Sequence, residues 1–586
     1  LRYFWSIIAE ISGPLRAAEG FYFGFVCDKN ECMVSLAEDI QKLINGAWDA
    51  VRLRQNYLPE AVTLFFRVER PSVKIFGDYS TNIAIIAAHA IKTVSPPDLA
   101  KEIAEELRAQ KSAFEKIEVV GGFINIFLAP SFVGPKHDEF ARIVQKRSRT
   151  LMSVGAGKRV NIEFLSSNPT GEPHVGNARS AFFGDVLGNM YAACGYDVDK
   201  EFYVNDALSS GQIAELGKTA LGAGETYRSE YLDRIVRVIK KTKKLKELAR
   251  ATDESTRYAK VGFLVAQAVV KDLKYFVRHA MHIKYDLWFS EHTLHTKGSI
   301  ENVLSQLEHS QEGKELTYQK EGALWLRTSA LGDDEDRVLR RSNGSPTYFA
   351  ADIAYHKNKI ERGYDTIIDV WGADHHGHKK RMEIVMRMLG FHGAFKVCIA
   401  QMVSLKVGGK RTKLSKREGT IITVKELLRE VPLDVVRIFY LTKSLDTHLD
   451  FDLALAKEQS NKNPVYYVQY AYARICNIIK EGKKKCGKLP PAMSEGPEAA
   501  AKERELMLKH LQLFEVLPTA LEKQEPHLLF LYAHQLAETF HSFYGSCKVL
   551  HGDAAIRQRR LALIATTQSI FEQLFHIFGV SAPKKM

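Results

Sequence analysis

Cysteine is scarce, with seven in 586 residues: Cys27, Cys32, Cys194, Cys398, Cys476, Cys486 and Cys547. Few, scattered and odd in number, they argue against a disulfide framework and for a reducing compartment. Cys27 and Cys32 are near neighbours, but no second pair completes a zinc site, so no structural metal is expected. No run of about 18 apolar residues occurs, which excludes a helical membrane span. The first residues mix aromatics with Arg2, Glu10, Arg16 and Glu19 and show no signal-peptide pattern. There is no internal repeat of short period. These absences leave a cytoplasmic protein without a membrane association. Acidic residues are also in deficit: 69 Asp and Glu against 82 Lys and Arg, a net charge of +13. That surplus suits a polyanionic partner, although solubility alone is a fair rival reading.

The length allows about three or four domains. The first residue is Leu1, and a helical pattern begins only near Met33. Residues 1–34 are therefore read as an extension of unassigned role, with the start of translation at Leu1 or near Met33 left open. Residues 35–130 read as a small α+β domain, with helical periodicity at 82–90 and 97–109 and strands at 117–120 and 123–128 around Gly121-Gly122. Residues 132–157 read as a connector. An α/β domain of Rossmann type, built on a parallel sheet, is expected over 131–452. Val160, Ile162 and Phe164 alternate as in a strand, 178–193 is helical, and strand signals return at 201–204, 366–371 and 397–405. Within it, a helical insertion at about 212–342 carries the run Lys240-Lys241-Thr242-Lys243-Lys244-Leu245-Lys246. Such a run is first a solvated helix face and only second an RNA contact. Residues 453–586 read as an all-α bundle.

Two segments carry the chemistry. His174-Val175-Gly176-Asn177 follows a strand and polar turn and opens a helix. A helix N-terminus favours phosphate, and a glycine there permits close approach. Lys413-Leu414-Ser415-Lys416-Arg417 lies between Gly408-Gly409 and Gly419. Its lysines are suited to neutralising charge as pyrophosphate leaves. Each segment alone is weak, since basic turns are common. In this order they describe one ATP site built from two halves of a sheet, hence adenylyl transfer. Glu163, Ser166 and Asn168 converge past the end of the strand that precedes the first segment. Tyr348 and Asp352, four apart, share a helix face and can clamp a guanidinium by stacking and charged hydrogen bonds, although without further context a helix cap and a core tyrosine are the favoured reading. In Trp371-Gly372-Ala373-Asp374-His375-His376-Gly377-His378 the adjacent histidines suit a metal poorly. Gly372 would admit the nucleotide closely, with Asp374 or a histidine on ribose or substrate. Tyr466, Tyr470 and Arg474 recur at four-residue steps and can stack on unpaired bases, with core packing an equal or better alternative for most of the tyrosines.

The stretch Ile162-Glu163-Phe164-Leu165-Ser166-Ser167-Asn168-Pro169-Thr170-Gly171-Glu172-Pro173-His174-Val175-Gly176-Asn177 resembles the signature region of arginyl-tRNA synthetases, a class I family. Asn177 stands where that family commonly has histidine; it keeps a donor but forgoes a cation. The resemblance continues through Pro346–His356, the lysine segment, the start of the helical region and the terminus Ser581-Ala582-Pro583-Lys584-Lys585-Met586. Gly77-Asp78-Tyr79-Ser80-Thr81-Asn82 and Gly121-Gly122-Phe123-Ile124-Asn125 resemble the family's appended domain that touches the tRNA elbow. The resemblance implies activation of L-arginine by ATP, with Mg²⁺ accompanying the nucleotide, and transfer to the 3′ end of tRNA(Arg) by a monomer. It implies catalytic roles for His174, Asn177, Lys413 and Lys416. Pro169, Thr170, Gly171, Gly176, Gly372, Asp374 and Ser415 would join those four around ATP. Glu163, Ser166, Asn168, Tyr348, Asp352 and His375 would hold arginine, and Tyr79, Asn82, Tyr466, Tyr470, Arg474 and Met586 would meet tRNA. A class I synthetase for another amino acid, a noncatalytic tRNA-binding paralogue and a small nucleotidyltransferase are the rivals.

Overall fold

The computed structural model describes residues 35–57, 64–110, 112–146, 148–250, 253–309, 316–407, 410–412, 423–487 and 500–586. The extension 1–34 and Lys413, Ser415 and Lys416 of the lysine segment lie outside the described residues.

The chain starts with helix α1 (Leu36–Gln55), whose Ser35 and Glu38 form a reciprocal cap and whose Leu36, Ile40, Ile44 and Val51 are buried along one face. Four antiparallel strands follow, β1 (Val68–Glu69), β2 (Tyr79–Thr81), β3 (Phe114–Val120) and β4 (Phe123–Leu128), in the order β1-β2-β4-β3. Between them run α2 (Ile83–Ile91) and α3 (Pro96–Arg108). The segment read as a connector is in fact largely a helix, α4 (Pro130–Gln145), with Val133, Phe140, Ala141 and Val144 buried at helical spacing. Its aromatic face meets the C-terminal bundle, where Phe140 packs edge-on to Phe514 with ring centres 4.9 Å apart.

The central sheet is parallel throughout and ordered β12-β11-β5-β6-β7. Its strands are β5 (Arg159–Glu163), β6 (Asp197–Val204), β7 (Leu287–Ser290), β11 (Thr366–Gly372) and β12 (Ala394–Ala400). Sequence order reverses between β5 and β11, and such a reversal opens a crevice at the carboxyl ends of the strands. Helix α5 (Val175–Ala193), which follows β5, is buried on nearly every side.

The insertion differs from expectation. Helices α6 (Gly211–Leu221), α7 (Glu230–Ile239), α8 (Lys243–Leu248) and α9 (Glu254–His279) share a separate apolar core. The expected lysine run lies at the α7–α8 junction, with Lys240, Lys241, Lys243, Lys244 and Lys246 exposed. The chain then returns to the central sheet as β7, so 212–342 is not one helical insertion. Leu287-Trp288-Phe289-Ser290 is too short to announce itself by periodicity, and only pairing with β6 makes it a strand. Beyond it come α10 (His292–Thr296), α11 (Ser299–His309) and an antiparallel sheet of β8 (Thr317–Lys320), β9 (Ala323–Leu326) and β10 (Arg337–Arg340), ordered β10-β9-β8. Helix α12 (Tyr348–Glu361) is capped by Thr347, and α13 (His376–Met388) follows β11.

The apolar run 397–405 also divides. After β12 the chain turns at Gln401-Met402 into β13 (Val403–Val407), which joins β14 (Lys410–Thr412) and β15 (Leu449–Asp452) in a different sheet. Helices α14 (Val424–Glu430), α15 (Leu433–Tyr440) and α16 (Leu453–Lys457) precede a bundle of α17 (Pro464–Cys486), α18 (Ala501–Leu511), α19 (Leu513–Glu522), α20 (Pro526–Ser546) and α21 (Ala554–Phe578). Among the described residues no helix is long and apolar enough to cross a membrane.

Polar contacts join these parts. Arg70 donates to both oxygens of Glu515 at 2.8 and 2.9 Å, and Arg504 to both oxygens of Asp78 at 3.0 and 2.6 Å, tying the first domain to the bundle. The bundle's last helix ends on the α/β domain. Arg437 donates to the carbonyls of Phe578 (2.9 Å) and Met281 (3.0 Å) and pairs with Asp185 of α5. Asn189 of α5 donates to the carbonyl of Ile577 at 2.8 Å. Gly579 ends α21 with φ +65°, and a Cβ there would lie 2.3 Å from Arg437 Nη2. Gly579→Ala therefore adds backbone strain and displaces a buried guanidinium, at a cost of about 1–3 kcal/mol or more. A lowered thermal midpoint in calorimetry is the expected result; an unchanged midpoint would refute this account of the junction.

Candidate active site

The crevice holds a cavity of about 1430 Å³ lined from β5, β6, β11, α12 and the segment just after β7. That is ample for a nucleotide together with an amino acid.

One wall is the turn after β5. Leu165 and Ser166 have φ of +70° and +34°, a strained backbone for non-glycine residues. Ser166 Oγ holds the turn from two sides, donating to Glu163 Oε1 at 2.9 Å and accepting from the Tyr203 N–H at 3.1 Å. Asn168 is exposed, and its Oδ1 accepts from Asn205 Nδ2 at 3.0 Å. Thr170 and Gly171 line the cavity; Pro169 is buried beneath them. Glu163 lines the cavity too, but its second oxygen accepts from Lys359 Nζ at 2.7 Å.

The turn ends in α5. His174 is its N-cap: Nδ1 accepts the Gly176 N–H at 3.1 Å, while Asn177 Oδ1 accepts the His174 N–H at 2.9 Å. This reciprocal cap assigns the imidazole. Nδ1 is an acceptor, so the proton sits on Nε2, and partial burial pushes the pKa below its ordinary value. A neutral Nε2–H donor results. Asn177 spends its oxygen on the cap and keeps its NH₂ for a ligand. Cβ at Gly176 would come within 3.3 Å of His174 Nδ1. The downstream flank of the lysine segment reaches this cap. Thr412 pairs with Leu405 in the outer sheet, Thr423 bridges to His174, the Val424 N–H donates to the Pro173 carbonyl at 2.9 Å, and Lys425 reaches Glu172 at 3.1 Å.

The opposite wall is α12 with the loop after β11. Tyr348 is exposed and donates through its hydroxyl to Asn205 Oδ1 at 2.8 Å. Asp352 faces His378, with Nε2 and Oδ2 3.0 Å apart. Asp374 and His375 are exposed, 3.6 Å from one another. At Gly372 a Cβ would lie 2.6 Å from Asp374 Oδ1, the far end of an exposed side chain that can swing aside.

Sequence reasoning missed the floor. Glu291, Tyr203 and His295 line the cavity, and the first two are buried. Glu291 Oε2, the Tyr203 hydroxyl and His295 Nε2 have no hydrogen-bond partner among the described residues. Burial raises the Glu291 pKa, and the nearby charge of Asp352 adds to it. Glu291, whose Oε1 lies 3.9 Å from His295 Nε2, and the Tyr203 phenol beside a second carboxylate suit a cation with several donors. Glu291 follows the short strand β7, and no local pattern marks it.

The expected tRNA residues are placed unevenly. Tyr79 is corrected: it is fully buried, stacks under Arg70 at 4.5 Å and bonds Glu515, so it serves domain docking and offers nothing to RNA. Asn82 stands at the N-cap position of α2 without a capping side-chain bond, and its Oδ1 accepts instead from the Arg67 N–H at 2.8 Å. Tyr466 and Tyr470 are stacked with ring centres 6.2 Å apart and are half-buried. Arg474 lies over the rings of Tyr470 (4.9 Å) and Tyr544 (5.4 Å) and donates to the Tyr470 hydroxyl at 2.7 Å. Met586 is half exposed.

Residues 140–438 match the profile described as tRNA synthetases class I (R), catalytic domain, so the α/β part is that of a class I aminoacyl-tRNA synthetase. Residues 35–128 match the arginyl tRNA synthetase N terminal domain and 468–586 the DALR anticodon binding domain. The arginine–tRNA ligase of Desulforamulus reducens is 38% identical over 571 residues, covering 94% of this chain and 98% of that one. That of Carboxydothermus hydrogenoformans is 38% identical over 577 residues, covering 94% and 100%. The Thermus thermophilus arginyl-tRNA synthetase structure shares the fold, with a TM-score of 0.72 at 21% identity, covering 94% of this chain and 100% of that chain. The chain belongs to the arginyl-tRNA synthetase family.

The cap geometry makes Asn177 testable. Imidazole can accept the same backbone N–H and keep a donor outward, so Asn177→His is expected to leave the rate of adenylate formation equal or higher in exchange kinetics. A large fall would mean that the pocket requires the amide.

Proposed function

We propose that this chain ligates arginine to tRNA(Arg) in the cavity between β5 and α12, with the residues in the following roles. The carrying observation is the acceptor cluster on the cavity floor and wall. Asp352, Glu291 Oε2, the Tyr203 hydroxyl and Tyr348 surround a space that a planar guanidinium with its five donors would satisfy. Ser166, Asn168 and Glu163 face the amino and carboxylate end of the substrate, and His375 closes the pocket at its rim.

ATP lies along the turn 169–171 and over Gly176, with its phosphates toward the α5 N-terminus and its ribose toward Gly372 and Asp374. Mg²⁺ enters on the phosphates of ATP; among the described residues no cluster of three His, Cys, Asp or Glu side chains stands ready for a metal. The arginine carboxylate attacks the α-phosphorus, the bond to the bridging oxygen breaks, and pyrophosphate departs. His174 Nε2–H and the Asn177 amide donate to phosphate oxygens as charge moves onto them. Lys413, Ser415 and Lys416, whose downstream flank meets His174 at Thr423, stabilise the departing pyrophosphate. The terminal ribose hydroxyl of tRNA then attacks the adenylate carbonyl and AMP leaves. Tyr466, Tyr470 and Arg474 stack on unpaired bases, and Asn82 and Met586 add contacts to the tRNA. We assign 35–130 to the tRNA elbow, 131–452 to catalysis and 453–586 to the anticodon arm, and place the enzyme as a monomer in the cytoplasm.

ATP–pyrophosphate exchange across the twenty amino acids, with and without tRNA, tests the function; exchange driven by any amino acid other than arginine would refute it. Asp352→Asn and Glu291→Gln each remove a charged acceptor worth about 1.5–3 kcal/mol. Each should raise the arginine KM by roughly ten- to a hundredfold with little change for ATP, and weaken discrimination against neutral citrulline. An unaltered arginine KM in both variants would dismiss the guanidinium site.

Arg474→Ala is expected to weaken tRNA binding and to make its salt dependence shallower by about one ion. Binding titrations from low to high salt that overlay the parent would remove Arg474 from the interface.

A further inference from the structure

Lys359 lies on α12 behind the cavity and belongs to none of the roles above. Its side chain is wholly buried. Nζ donates to Asp369 Oδ1 of β11 at 2.6 Å and to Glu163 Oε2 of β5 at 2.7 Å, and it sits 4.5 Å from the centre of the Tyr355 ring. Asp369 and Glu163 are directly paired in register across the two strands. Without a cation between them, two buried carboxylates side by side would repel and turn apart.

Each carboxylate has a second task. Asp369 Oδ2 meets His356 Nε2 at 2.8 Å, and His356 Nδ1 reaches the Asp352 carbonyl at 2.8 Å. Glu163 Oε1 holds Ser166 Oγ at 2.9 Å, at the strained turn that carries Ser166 and Asn168. One ammonium thus joins the helix that presents Asp352 to the turn that presents Ser166. Lys359 stands seven residues after Asp352, two helical turns along the same face.

We infer that Lys359 is a positioning residue that sets the distance between the guanidinium end and the carboxylate end of the bound amino acid, acting through Glu163. It is a length gauge for the substrate. The inference rests on the arginine reading of the pocket. An ion triad buried at such desolvation cost is well suited to specifying one geometry. Misplacement of about 1 Å between reacting groups costs up to roughly a hundredfold.

The test is ATP–pyrophosphate exchange on the full chain with tRNA present, using arginine and its one-methylene-longer homologue homoarginine. Lys359→Met should raise the arginine KM about tenfold or more while the ATP KM stays within about twofold, and should reduce the preference for arginine over homoarginine by a similar factor. A folded Lys359→Met with parental arginine KM and parental preference overturns the inference. If that variant does not fold, the pair Glu163→Gln/Lys359→Met removes one charge of each sign and decides the matter. Because Lys359 acts through Glu163, the double variant should match Glu163→Gln alone in KM and in preference; a double-variant defect larger than that of Glu163→Gln overturns the inference. Arginine-dependent exchange by the parent enzyme tests the functional reading separately, so a failure of one is not mistaken for a failure of the other.

Discussion

Asp369, Glu163 and Glu201 stand in one row across the strands β11, β5 and β6, directly paired in register and almost wholly withdrawn from water. Adjacent like charges in a low-dielectric sheet are tolerable only if compensated on the spot. The compensation comes chiefly from α12. Lys359 serves Asp369 and Glu163, His356 serves Asp369, and Arg362 donates to both oxygens of Glu201 at 3.1 and 2.8 Å. Tyr355 also donates to Glu201 at 2.9 Å, and Asn161 does so at 2.6 Å. Asp369 and Glu163 outweigh the burial that works against the Lys359 ammonium and hold its pKa above the ordinary lysine value. A helix bonded to three strands through buried charges cannot slide or rotate without exposing one of them. The front end of α12, which bears Tyr348 and Asp352, is thereby held over the crevice.

The same economy of contacts joins the domains. Helix α5 opens at the crevice with His174 and, two-thirds of the way along, presents Asp185 and Asn189 to the end of the bundle's last helix. The bundle in turn grips the first domain through Glu515 and Arg504. Buried His137 and His510 meet at 2.9 Å between α4 and α18, and burial holds both imidazoles below their ordinary pKa. The active-site helix is therefore in direct bonded contact with the domain that matches the anticodon-binding family.

Legibility in the sequence followed the range of the interactions. The start of α5 was readable because the polar turn and the His174–Asn177 segment lie within a few residues of one another, whereas the cap that His174 and Asn177 form there was not read. Tyr348 and Asp352 were readable because four-residue spacing defines a helix face. Glu291 was not, because its meaning comes from β7 pairing with β6 and bringing it beside Asp352, which is distant in sequence. Tyr79 misled for the converse reason. Its surroundings resembled an RNA-facing motif, but Glu515, far along the chain, takes its hydroxyl. The strand β7 hid inside a region of strong helical signal because four residues carry too little pattern to outweigh their neighbours.

The sequence by itself determined the class of chemistry, the family and the order of domains, since these reside in local motifs and in periodicities that burial imposes residue by residue. Tertiary structure decided which acids face the cavity and which lie sealed beneath it. Glu163, Glu201, Asp369, Glu291 and Asp352 are all carboxylates near one crevice, and nothing local separates them. Their roles diverge because Lys359, Arg362 and His356 neutralise Asp369 and Glu201 inside the sheet, Glu163 shares Lys359 while still lining the cavity, Glu291 keeps an oxygen without a hydrogen-bond partner, and Asp352 stands at the cavity wall. Charge compensation across strands is a property of the assembled sheet, and it is what divides structural acids from those available to a substrate.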